Sequence, residues 1–180
     1  MGDVTQLLEA IQRGEDDATG RLFSLVYDEL KAIAHGAARR QPGQQLNTTA
    51  LVHECFVRLA GGPEARNRGH FYALAARAMR QIVCDQARRA LAGKRGGGAP
   101  MSDEVEGAPD RRPQAEELVA LDRLFTRLAE VDPRAARVME CRVFGGFTVP
   151  ETAEALGVSE RTVYLDFDRA RDWLAAQMGS

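Results

Sequence analysis

His70, Phe71 and Tyr72 stand among the arginines Arg68, Arg77, Arg80, Arg88 and Arg89. Flat ring faces beside a cationic groove suit an unpaired nucleic-acid strand, since bases stack on the rings while arginines neutralise phosphates. Phe71 would serve equally well in a core, and Leu74 and Ile82 read as core. The candidates for strand contact are therefore Asn67, Arg68, His70, Tyr72, Arg77, Arg80, Gln81 and Arg88. A second constellation, TVPETAEALGVSERTV, occupies 148–163. Thr148 and Glu151 have capping-box spacing, Pro150 suits a first turn, Gly157 stops that helix and Ser159 caps the next. Ala153 is small where two helices cross, and Leu156, Val158 and Val163 close a small core. This pattern predicts a helix-turn-helix whose second helix enters a major groove; a purely structural helical hairpin is the alternative. Ser159, Glu160, Arg161, Thr162, Tyr164 and Leu165 would approach bases, off the face of Val163, Phe167 and Ala170. Arg169 and Arg171 would reach phosphates.

Catalytic chemistry has little footing. His53 and Glu54 begin like HExxH, but Val57 takes the place of the second ligand. His35, His53 and His70 are scattered, with no cysteine at metal-ligand spacing. The glycines at 96–98 lack the GK[ST] ending of a phosphate loop. We therefore expect no enzyme, no metal and no cofactor. Cys55, Cys84 and Cys141 are far apart and form no CxxC pair, which predicts reduced, buried thiols in a cytoplasmic protein. No apolar run approaches 18 residues, and the first residues carry no basic-then-apolar leader, so neither secretion nor membrane spanning is expected.

The net charge of −2, from 24 basic and 26 acidic residues in 180, is opposite in sign to a polyanion binder's usual excess. Its distribution corrects that impression. Between positions 66 and 95 there are eight arginines and lysines and one acid, Asp85; acids then dominate from Asp103 to Asp132. A basic stripe is the electrostatic footprint of a nucleic-acid contact. The acidic segment beside it predicts that the free protein folds its two halves together and hides its DNA surfaces. An arginine-rich but merely solvated helix face is the plainer reading.

The elements that must position these residues are helical throughout. Val4, Leu7, Leu8 and Ile11 recur at helical spacing, as do Leu22, Phe23, Val26, Leu30 and Ile33. Asn47 or Thr48 can cap a third helix, stopped near Gly61, and a fourth is predicted from about Arg68 to Ala92. Residues 93–115 are rich in glycine, proline and charge and read as a flexible linker. Periodicity resumes at Leu118, and Asp132 with Pro133 starts another helix that Gly145 and Gly146 should end. The predicted architecture is all-α, with two small helical domains at 1–92 and 116–180.

This order resembles a bacterial RNA polymerase sigma factor of the extracytoplasmic-function (ECF) group of the sigma-70 family. LVHECFVRL at 51–59 looks like region 2.2, the helix that docks on the polymerase clamp. NRGHFYALAARAMRQIVCDQARR at 67–89 resembles regions 2.3 and 2.4, which open and read the minus-ten element. LAEVDPRAARVMECRVFGGF at 128–147 looks like region 4.1, and 148–175 like region 4.2 at the minus-thirty-five element. The KRGGG run at 94–98 and RARDW at 169–173 suggest an ECF-like subgroup. The resemblance implies core RNA polymerase and promoter DNA as partners, with Leu51, Val52, His53, Glu54, Phe56, Val57 and Arg58 meeting polymerase. A helix-turn-helix regulator that is not a polymerase subunit is the rival reading.

Two segments depart from the family pattern. After Val163 the family usually carries a basic stretch, whereas this chain has Asp166 and Asp168, which would repel phosphates or accept from cytosine. Ahead of the clamp helix the family places acids, and here Asn47, Thr48 and Thr49 stand instead. A phosphate on Thr48 or Thr49 would add about −1.5 to −2 charge at a helix N-terminus, where anions are favoured. A serine/threonine kinase or an anti-sigma protein is thus a candidate regulator, with an ordinary capping threonine as the simpler alternative.

Overall fold

The computed structural model describes residues 3–39, 47–61, 64–95 and 112–179. Most of the expected linker lies outside these residues. The described chain is helical, with no strand: α1 Val4–Gln12, α2 Ala18–Arg39, α3 Thr48–Ala60, α4 Arg68–Arg95, α5 Arg112–Val131, α6 Pro133–Met139, α7 Val149–Leu156 and α8 Glu160–Met178. A π-helical turn, Glu140–Phe144, joins α6 to the loop before α7.

Local chemistry accounts for most of the ends. Asn47 caps α3 by accepting from the Ala50 amide, so neither threonine is the cap. Asp132 caps α6 through the Ala135 amide, with Pro133 next, where its missing N–H costs nothing. Thr148 and Glu151 form the reciprocal capping box of α7. Gly157 ends α7 at φ +66°, a left-handed conformation that a Cβ disfavours. Ser159 accepts from the Thr162 amide to open α8. The π turn was not anticipated, because the sequence suggests one helix running on to Gly145. Met139, Glu140 and Cys141 are all buried around its start, Glu140 included.

The first core is built by α1 to α4, with Val26, Leu30, Leu51, Val52, Met79, Ile82 and Val83 almost wholly buried. Ala115, Leu118 and Val119 of α5 join it, so this helix packs on α4 before it reaches the second core. The second core gathers Phe125, Leu128, Ala136, Met139, Phe144, Ala170 and Leu174. A smaller cluster of Val138, Ala153 and Val163 holds the helix-turn-helix together. The two halves are thus in contact, with α4 packed against α5, the π turn and α7.

Candidate nucleic-acid and polymerase interfaces

The face of α3 is split by its periodicity. Leu51 and Val52 lie in the core at 1% and 0% exposure, so of the seven residues expected to meet polymerase these two instead anchor the helix. His53 and Val57 are exposed, the latter at 69%, while Glu54, Phe56 and Arg58 are half-buried. Phe23 of α2, which sequence reasoning placed only in a helix, packs edge-on against Phe56 with ring centroids 4.7 Å apart and lies 5.1 Å from His53. At the start of α3, Thr49 is exposed and Thr48 half-buried, and no acid stands in the first turn.

On α4 the expected strand-contact residues divide by environment. Asn67 caps the helix through the His70 amide, and the His70 ring accepts from the Arg66 amide at Nδ1, 3.2 Å away. Burial, with Arg66 and Arg137 nearby, lowers the His70 pKa and favours the neutral ring. Arg68 donates to Glu29 and lies over the Tyr72 ring at 5.3 Å. Phe71 is core at 2% exposure. Tyr72 is buried, its hydroxyl has no hydrogen-bond partner among the described residues, and burial pushes its pKa up to about 12. Arg77 is exposed, and Gln81 is half-buried.

Arg80 and Arg88 belong to a chain of ion pairs. Arg58 donates to Glu54 and to Asp85 at 3.1 and 3.0 Å, and Asp85 also accepts from Arg88 at 3.0 Å. Arg88 and Arg80 both donate to Asp122 of α5. Arg80 reaches on to Glu140 of the π turn at 2.9 Å. Arg80 is 6% exposed, the burial of a cation whose charge is fully paired. Glu140 has a raised pKa, burial outweighing the neighbouring Arg80 and Arg77.

The second helix of the helix-turn-helix presents an open face. Tyr164 and Leu165 are 59% and 53% exposed, and Ser159, Glu160 and Arg161 are exposed as well, with Thr162 half-buried against the Ser159 hydroxyl. Arg171 is exposed beside Asp168 and Asp172. The two acids of α8 part company here. Asp168 is exposed, whereas Asp166 is wholly buried, accepting from Arg134 at 3.1 Å and from Arg169 at 2.7 Å. Asp166 therefore faces α6 and not a groove, which corrects the expectation that both acids oppose DNA. Arg169 also bonds Asp132, tying α8 to the cap of α6.

Two helical cores, one bearing a basic and aromatic helix and the other a capped helix-turn-helix, define an all-α protein of sigma-70 type. A family model described as ECF sigma factor matches residues 1–180, and the chain belongs to the ECF sigma factor family. It has a sigma factor's role in promoter-directed transcription initiation, with core RNA polymerase and promoter DNA as the partners its family implies. No curated protein matches it. No described helix is long and apolar enough to cross a membrane.

Proposed function

We propose that the chain binds core polymerase through the exposed side of α3, namely His53, Glu54, Phe56, Val57 and Arg58. The unit at 116–180 docks on the minus-thirty-five element through Ser159, Glu160, Arg161, Thr162, Tyr164 and Leu165. The helix at 67–89 captures the melted minus-ten strand, and the segment between α4 and α5 spans the polymerase between the two halves. The protein turns over no substrate and acts in the cytoplasm, on the nucleoid when bound to polymerase. The observation that carries this reading is the split of α8. Val163 and Ala170 are fully buried while Tyr164 and Leu165 stay over half exposed, which leaves a helix face that no described residue covers.

For regulation, the acid-free first turn of α3 favours phosphorylation at Thr49, the more exposed of the two threonines. An anti-sigma protein is the other route. The deciding experiment is binding to purified bacterial core polymerase, followed by run-off transcription from genomic fragments. One-to-one binding with new transcripts is expected. Binding only by Thr49→Asp, and not by Thr49→Ala, would establish the switch; equal activity of both would sink it. DNA footprints without polymerase binding in any form would hand the case to a regulator that is not a polymerase subunit.

A further inference from the structure

A cleft of about 680 Å³ opens between α2, the start of α4, the loop at 145–147 and α7. That volume is in the range of small-molecule sites. Ile33, Phe147 and Tyr72 give it apolar surface, and four glycines leave it open. Its acids stand on two separate elements, Glu29 on α2 and Glu151 with Glu154, three residues apart, on α7. Against these three carboxylates the lining has one guanidinium, that of Arg68, which donates to Glu29 at 3.3 Å. Before His35 is counted, the described lining therefore carries two net negative charges, and its complement is a cation. The acids do not converge on a point, since among the described residues no three His, Cys, Asp or Glu are grouped to hold a metal ion. A cation that answers them all must be extended, with its charges apart.

A second observation is independent of those acids. Tyr72 is 9% exposed, and its hydroxyl has no hydrogen-bond partner among the described residues. That hydroxyl lies in the field of Glu29 and Arg68, which line the same cleft. A buried hydroxyl left unpaired is costly, and an N–H donor entering beside Glu29 would satisfy it. We propose that the cleft binds a linear polyamine, in which two or more ammonium groups are separated by methylenes. One end sits at Glu29 and the Tyr72 hydroxyl, the other at Glu151 and Glu154, and the methylenes lie along Ile33 and Phe147. Glu151 already accepts from the Thr148 amide and hydroxyl through Oε2, so Glu154 takes the larger share of the second end. The site goes beyond the proposed function and does not depend on it.

The test is calorimetric titration of spermidine into the full chain, free of nucleic acid, at about 50 mM salt, where screening is modest. One-to-one binding is expected. At about 100 times its Kd, spermidine should raise the melting midpoint by roughly 5–10 °C. Butylamine, with one charge, and magnesium ion, a point charge, should bind about tenfold more weakly or worse, because neither spans both ends. Gly36→Leu plugs the cleft. A Cβ there meets no atom within 4 Å, and leucine suits a helix better than glycine, so the variant should fold and lose binding. Glu154→Gln should weaken binding about fivefold, the upper end for an exposed ion pair. Tyr72→Phe should weaken it about tenfold while raising the midpoint of the ligand-free protein, since the unpaired hydroxyl is gone. Circular dichroism checks folding, and if Gly36→Leu misfolds, Glu154→Gln and Tyr72→Phe carry the test. No binding of spermidine by wild type, equal binding of butylamine or magnesium, or undiminished binding by the folded variants overturns the site.

Discussion

Asp166→Asn separates a structural acid from a base-reading one. Asp166 is 0% exposed and accepts three hydrogen bonds, two from Arg134 and one from Arg169. Bonds to a charged group contribute about 1.5–3 kcal/mol apiece, but they do not add here. Both arginine side chains are over half exposed and regain water when the carboxylate goes. The net loss should be about 2–3 kcal/mol, most of it from burying an amide in a slot shaped for a carboxylate. For a chain of this size that lowers the melting midpoint by roughly 4–12 °C. The assay is a thermal melt, paired with footprinting of the promoter that run-off transcription yields. An unchanged midpoint together with an altered base preference would refute the placement of Asp166 and return it to the groove. Asp168→Asn is the control and should change stability by no more than about 0.5 kcal/mol, about 1–2 °C in the midpoint, as expected for a surface change.

Four other outcomes are expected. Gly157→Ala meets no atom within 4 Å, so its cost is backbone strain alone, about 1–2 kcal/mol, and an unchanged melt would count against the left-handed cap. The Glu151 carboxyl is held below its usual 4.5 by the Thr148 amide and hydroxyl, so the cap should contribute fully above about pH 4.5 and be lost as pH falls through the lower folded value. Glu151→Gln should flatten that part of the acid-denaturation profile. Burial pushes the thiols of Cys55, Cys84 and Cys141 up to about 12, so iodoacetamide at pH 8 should label none in the native protein and all three in denaturant, read by mass spectrometry. Arg161→Ala and Tyr164→Ala should weaken upstream-element binding tenfold or more without moving the melt, because neither side chain is buried; a lowered midpoint would mean that they pack instead of contacting DNA.

Features that local chemistry decides could be read from the residues alone. Caps at Asn47, Asp132, Thr148 and Ser159, the stop at Gly157 and the helical period of the apolar residues place the helix ends, because each rests on contacts within a turn or two. The order of the motifs was equally legible, and with it the family. Burial of charge was not. Arg80 and Arg77 are alike in sequence, three residues apart on a basic helix, yet one is sealed against Asp122 and Glu140 and the other faces water. Asp166 and Asp168 differ in the same way. Apart from Arg169, the partners lie 32 to 60 residues away along the chain, and no periodicity encodes which distant element will cover a given side chain. Only the packing of α5 and the π turn on α4 decides which arginines are free to meet DNA, since a charge goes inside only where a counter-charge is already waiting.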